Sequence, residues 1–448
     1  MKKLAIISSY NENCGNASYT HVLKKAFSKY VDVDVIGLDL FLLQSISPAV
    51  RKAGDLHVRQ ICERLRGYDY VNIQFEAGLF GKTTQDVLRR IKWIIDASQA
   101  ITITMHRVES EKESYYAAVK IGFARRSFKR FRQKRRATRY TTMTGRLVEY
   151  CKKTADKKTV LIKVHTRRDR RAIEVVFRNP HTYDYPICFL TDEERDQAWQ
   201  LDGREAFLER HGFEEGSKVI GLFGYLSAYK GVDTAIKALA RLPKEYKLGL
   251  FGSQHPQSVK RNEIVDPYIE DLIELMDEID GRNVMSEMAE DFAKSKDGSK
   301  DFATEFFKHV ILQKVKAPDF AAVSERVRFV GGLPDPEFIK ALRLCDVAVL
   351  PYLETGQGMS GVIVLSLEAG AKMLCANNIS FMETARYFPN SFSSFDIGNY
   401  VELAQKIEWV VSNREVADFK ENRDKARERY NIDASVRLQL EKFGCQIQ

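Results

Sequence analysis

The chain has few features of a disulfide-built, metal-held or membrane-spanning protein. Its seven cysteines (Cys14, Cys62, Cys151, Cys188, Cys345, Cys375 and Cys445) form no C-x-x-C pair. An odd, unpatterned count predicts reduced thiols and excludes a disulfide framework or zinc site as the organising device. No apolar run is long enough to span a bilayer. The opening MKKLAIISSY imitates a signal peptide only briefly, because Asn11, Glu12 and Asn13 follow at once, so it reads better as a first buried strand. No carboxylate pair with metal-ligand spacing falls in a plausible site, and there are no internal repeats or low-complexity segments. These absences predict a cytoplasmic protein, attached at most to a membrane surface, that needs no metal or cofactor.

What is present fits two globular domains. At 448 residues, with 44% hydrophobic and 29% charged side chains, the chain can build two full cores. The stretch from Lys218 to Gly252 is the most informative. Val219–Phe223 is an apolar run ending at Gly224; Ala235, Ile236, Leu239, Ala240 and Leu242 recur at helical spacing; Lys247–Phe251 is a second buried-type strand. Lys230 then lies at the carboxyl end of a parallel strand, where open α/β sheets bind ligands and helix N-termini receive phosphates. Downstream, strands at Val327–Gly331 and Val347–Leu350 flank a helix at Asp335–Leu344. The loop YLETGQGMSG (352–361) leads into the helical run VIVLSLEAGAKM and a strand beginning at Leu374. Alternation of this kind predicts a doubly wound parallel sheet.

Here the chain resembles the GT-B glycosyltransferases, specifically the retaining group called family 4. That family's signature is G-R-L-x-x-x-K-G, then V-x-F-x-G, then a loop-to-helix motif ending E-A-x-A-x-G. The chain carries GYLSAYKG at 224–231, VRFVGGL at 327–333 and SGVIVLSLEAGAKM at 360–373. Weaker matches precede them: CGNASYTHVLKKAF (14–27), YVNIQFEAGLFG (70–81) and TITMHR (102–107). The resemblance implies two Rossmann-like domains facing a cleft: residues 1–190 binding acceptor, residues 191–430 binding a nucleotide-sugar donor, and a last helix in 431–448 returning to the N-terminal domain. Residues about 253–326 exceed what the family needs and predict a mostly helical insertion, followed by a loop near Lys296–Lys300.

Carried over position by position, the resemblance assigns Lys230 and His106 to catalysis. It assigns Gly15, Gly224, Tyr225, Ser360, Gly361, Val362 and Glu368 to the donor, and Asn16 and Glu76, more weakly, to the acceptor. Two departures stand out. Tyr225 replaces an arginine, removing a cation near the diphosphate. Ser360 replaces the first of two glutamates eight residues apart, as in a family branch with S-G-V, and its hydroxyl cannot replace a carboxylate as a bidentate acceptor. Glu368 keeps the second glutamate, which in the family holds the ribose. The implied activity is retaining, metal-independent transfer of a sugar to a glycan or lipid-linked acceptor in cell-surface polysaccharide or glycolipid synthesis. The alternative is a non-catalytic GT-B relic that binds a sugar or nucleotide.

Net charge is +9, and much of it is concentrated. Between Ser114 and Val148 there is no acidic residue, whereas Arg125, Arg126, Lys129, Arg130, Arg135 and Arg136 fall there with Phe123, Phe128 and Phe131 interleaved. A solvated charged face, a seat on anionic lipid at the inner membrane face, and a nucleic-acid contact are the three readings. Lipid is preferred, since each such cation near an anionic surface contributes about 1 kcal/mol. Nucleic acid ranks last because no recognised binding motif surrounds the segment.

Overall fold

The computed structural model describes residues 1–12, 15–108, 143–254, 266–294, 322–354, 358–413 and 417–446, with backbone alone over 282–294 and 417–418. The chain divides into two compact α/β units. One comprises Met1–Glu193, Gly356–Val364 and Lys425–Gln448; the other comprises Glu194–Thr355 and Leu365–Asp424. The segment around Ser360 thus groups with the first unit.

The first unit is built on a six-stranded parallel sheet in the order β2-β1-β3-β4-β5-β6. Its strands are β1 (Lys3–Ser8), β2 (Asp32–Gly37), β3 (Tyr70–Phe75), β4 (Ala100–Met105), β5 (Val160–Val164) and β6 (Thr182–Asp184). Alternate residues Val71, Ile73, Phe75, Ile101, Ile103, Met105, Val160, Ile162 and Val164 form one apolar face. The amphipathic helices Pro48–Leu65 and Thr84–Ala97 cover it, contributing Val58, Ile61, Leu88, Ile91 and Ile95 to the same core. The opposite face is polar yet buried, presenting Asn72, Gln74, Thr102, Thr104 and Lys163. Helix Ile432–Lys442 covers it, with Phe443 stacked on Tyr70 at 4.8 Å between ring centroids.

The second unit carries another six-stranded parallel sheet, ordered β12-β11-β10-β7-β8-β9. Its strands are β7 (Lys218–Phe223), β8 (Tyr246–Phe251), β9 (Val327–Phe329), β10 (Val347–Leu350), β11 (Met373–Ala376) and β12 (Ser393–Phe395). Read from β9, the order is the doubly wound 3-2-1-4-5-6 pattern, which reverses between β7 and β10. Burial of these strands on both faces is why they read as continuous Val, Leu and Ile runs.

Within the insertion, Pro267–Lys294 is one long helix. It seats Leu272 and Met276 in the core beside the helix Val232–Leu239 and leaves Ile273 exposed. The expected loop near Lys296–Lys300 lies outside the described residues. So do Arg125, Arg126, Lys129, Arg130, Arg135 and Arg136 of the basic segment.

Candidate functional site

In the second unit, the reversal of strand order between β7 and β10 opens two loops side by side at the carboxyl edge of the sheet. After β7 the chain turns through Gly224 at φ 89° and a short 3-10 turn, Ala228–Lys230, before Gly231 at φ 67° starts the helix Val232–Leu239. After β10 it runs through Pro351 and Tyr352. The loops lie backbone to backbone: a Cβ on Gly231 would come 2.0 Å from the Pro351 carbonyl oxygen, and Leu353 N donates to Tyr229 O at 2.8 Å. Only glycine fits at 231, for its left-handed backbone and for this approach.

Lys230 is held between these loops. It is 4% exposed; its ammonium donates to the Phe223 carbonyl at 3.2 Å and to the Tyr352 hydroxyl. The Tyr352 and Tyr229 rings lie 4.4 and 5.6 Å from the ammonium. No ion-pair partner meets it among the described residues, and burial pushes its pKa down to about 7. A buried cation with only neutral partners is an uncompensated charge, and an arriving anion would stabilise it. Gly224 itself packs against Gly252, where a Cβ would come 2.0 Å from the Gly224 carbonyl oxygen. Tyr225 follows, half-buried.

Glu368 is the last residue of the helix Gly361–Glu368 and is half-buried. Its carbonyl accepts a hydrogen bond from Trp199 Nε1 at 2.8 Å. That places the C-terminal turn of this helix against Trp199 of the same unit.

In the first unit the strand order reverses between β1 and β3. Gly15 and Asn16 open the helix that follows β1, and Glu76 is the N-cap residue after β3. His106 follows β4 and His165 follows β5, their ring centroids 5.0 Å apart. Tyr19 meets both rings edge-on, at 5.9 and 6.1 Å. His106 Nε2 lies 3.0 Å from Gln74 Oε1, and His165 Nδ1 lies 3.1 Å from the Tyr185 carbonyl. A carbonyl oxygen only accepts, so His165 carries its proton on Nδ1, and its buried Nε2 meets no hydrogen-bond partner among the described residues.

Burial, then the charge of Lys163, lowers His106 to about 4; burial, His106 and Lys163 hold His165 well below its ordinary value. Lys163 is itself buried, donates to Ser435 Oγ at 2.8 Å, and is pushed down by burial to about 8. Both imidazoles are therefore neutral at physiological pH.

Ser360, 9% exposed, with Gly361 and Val362 opens the helix Gly361–Glu368. The glycines of this segment have protein neighbours of their own. A Cβ on Gly358 would come 2.7 Å from the His106 carbonyl, and one on Gly361 would come 3.0 Å from the Phe189 ring.

The structure gathers Lys230, Gly224 and Tyr225 around one switch point, and Gly15, Asn16, Glu76 and His106 along the carboxyl edge of the first sheet. Sequence reasoning missed Tyr352 as the partner of Lys230, and it missed His165. A signal for His165 was present: YVNIQF, TITMH and VLIKVH each place polar residues at every second position of a buried strand. Among the described residues no cluster of His, Cys, Asp and Glu could hold a metal ion, and no helix is long and apolar enough to cross a membrane.

Solved structures of similar fold cover nearly the whole chain. HepE from Anabaena, crystallised with UDP and glucose, superposes with a TM-score of 0.59 at 14% identity, over 98% of this chain and 100% of its own. An α,α-trehalose-phosphate synthase (UDP-forming) from Burkholderia vietnamiensis gives 0.59 at 13%, over 99% of each chain. WaaG, a glycosyltransferase involved in lipopolysaccharide biosynthesis, gives 0.53 at 13%, over 95% of this chain and 94% of its own. These likenesses establish the fold: two parallel-sheet α/β units of the GT-B class. No family model and no curated protein sequence matches the chain.

Proposed function

We propose that the protein is a nucleotide-sugar-dependent glycosyltransferase of the retaining, metal-independent kind, resembling the S-G-V branch of family 4. The observation that carries this reading is the uncompensated Lys230 ammonium at the switch point of the second sheet. HepE, of the same fold, was crystallised with UDP, with UDP and glucose, and with UDP-glucose. Here the diphosphate of the donor meets Lys230, and Glu368 accepts from the ribose hydroxyls. Gly224 and Tyr225 line the nucleotide, and the N–H groups after Ser360, at Gly361 and Val362, supply further donors. Gly15 belongs to the donor side, whereas Asn16 and Glu76 approach the acceptor.

In the reaction, the bond from the anomeric carbon to the diphosphate oxygen breaks and a bond to the acceptor oxygen forms on the same face. The acceptor hydroxyl gives its proton to the departing phosphate oxygen, so no protein nucleophile is required. Lys230 stabilises the negative charge that grows on the leaving group. Fixed charge aimed at a developing anion in a water-poor site is usually the largest catalytic contribution. His106, neutral, contacts the donor sugar. The acceptor is a glycan or lipid-linked sugar of a cell-surface polysaccharide or glycolipid, and the basic segment containing Arg125 and Arg130 docks the cytoplasmic enzyme on anionic lipid.

Replacing Lys230 by Ala is expected to lower turnover by roughly 10²–10³, and activity is expected to survive EDTA. Wild-type kinetics in K230A would show that another group carries the leaving diphosphate. Complete loss in EDTA, restored by Mg²⁺, would overturn the metal-free mechanism.

A further inference from the structure

The polar face of the first sheet is an ordered chain of amides leading from the C-terminal helix to His106. Asn72 Nδ2 donates to Gln439 Oε1 at 3.0 Å. Gln74 Nε2 donates to Asn72 Oδ1 and lies 3.5 Å from Thr104 Oγ1. With its nitrogen so engaged, Gln74 presents Oε1 to His106 Nε2 at 3.0 Å. All four side chains lie in one unit, and Asn72, Gln74 and Gln439 are 1% exposed or less.

An amide has one donor end and one acceptor end, so these groups cannot turn independently. Rotating any one of them alone would set two donors or two acceptors face to face in a buried site, which costs the full desolvation of a group left unmade. The chain therefore has two consistent directions. In the observed one, Gln439 accepts, Gln74 accepts from the imidazole, and the His106 proton sits on Nε2. With every amide reversed, the proton would sit on Nδ1. At the far end, on helix Ile432–Lys442, Gln439 offers Oε1 to Asn72, while its buried Nε2 meets no hydrogen-bond partner among the described residues.

We infer that Gln439, through Asn72 and Gln74, is a positioning residue that fixes His106 as its Nε2–H tautomer and leaves Nδ1 as a lone-pair acceptor. The consequence for chemistry rests on the transferase reading above: His106 receives a hydrogen bond from a donor-sugar hydroxyl and offers neither a proton nor a positive charge to the phosphates. The last helix thereby acts on the site from the far end of the buried chain, without touching substrate. His165, with its proton on Nδ1, is the opposite tautomer one strand away, and serves as an internal reference for the assignment.

The test is nitrogen-15 NMR of the imidazoles in the full-length protein at neutral pH, with the signals of His106 and His165 assigned by H106Q and H165Q. Multiple-bond correlations distinguish the two tautomers directly. Wild type is expected to show His106 protonated on Nε2 and His165 on Nδ1. Gln439→Glu places an acceptor-only group at the end of the chain and is expected to keep the wild-type tautomer of His106. Gln439→Leu removes the terminal acceptor and is expected to populate both tautomers, with kcat/KM for transfer falling roughly five- to tenfold, the size of one net hydrogen bond. Gln439→Glu is expected to retain most of that activity.

His106 protonated on Nδ1 in the wild type, or a Gln439→Leu spectrum identical to it, would overturn the inference. The spectra need no substrate, so they judge the relay separately from the enzymatic reading. A protein whose tautomers respond as described but which transfers no sugar refutes the transferase and upholds the relay.

Discussion

Lys230 is an ammonium confined by a backbone carbonyl, a tyrosine hydroxyl and two aromatic rings, and its depressed pKa is a consequence of that neutral surrounding. A diphosphate placed against it restores the preference for the charged form. Binding of a nucleoside diphosphate is therefore expected to draw a proton from solution at pH 8, where the free lysine is largely neutral. Calorimetry in two buffers of different ionisation enthalpy measures that proton; binding without uptake would place the diphosphate elsewhere. Glu368 is expected to act differently. Ribose contacts are alike in the ground and transition states, so Glu368→Ala should raise KM with little change in kcat. A fall in kcat alone would mean that the carboxylate meets the reacting centre.

The elements explain which parts of this arrangement could be foreseen. The run Lys218–Gly252 was legible because an apolar strand, a glycine turn, a 3.6-period helix and a second strand each keep their own period, and the fold obeys all four. The Gly-bounded turn placed Lys230 at the strand end, but nothing local announced Tyr352, which arrives from 122 residues away. The same holds for Asn72 and Gln439, paired across 367 residues of sequence. Likewise, the space a Cβ would need at Gly358 is taken by the His106 carbonyl, from far away in the sequence. The tight loop contact at the second switch point carries its own prediction. Gly231→Ala adds a Cβ at positive φ within 2.0 Å of a carbonyl, so it should destabilise the second unit by at least about 1–3 kcal/mol and raise KM for the donor. Denaturant unfolding checks this; an unchanged midpoint would mean the two loops part easily.

At the scale of the whole molecule, buried basic groups set the response to acid. His106 and His165 remain neutral in the folded state well below the pH at which they protonate when unfolded. The unfolded chain therefore binds more protons between about pH 6.5 and pH 4, and stability falls as the pH drops through that window. Each histidine contributes at most about 1.4 kcal/mol of that loss for every step of one in pH. Thermal unfolding followed from pH 7 to pH 4.5 should show this decline, and H165N should flatten it; an equal slope in the variant would assign the decline to other groups. The basic segment predicts co-sedimentation with anionic liposomes that fades with rising salt, and none with neutral ones. Equal binding to both would refute electrostatic docking. The central claim is that this GT-B fold transfers sugar from a nucleotide carrier. Its most direct test is release of nucleoside diphosphate from a panel of nucleotide sugars, UDP-glucose included, with and without sugar acceptors. Steady release from at least one donor, accelerated by an acceptor and abolished or strongly reduced in K230A, is the predicted result. A folded wild-type protein that releases nothing from any donor would contradict it.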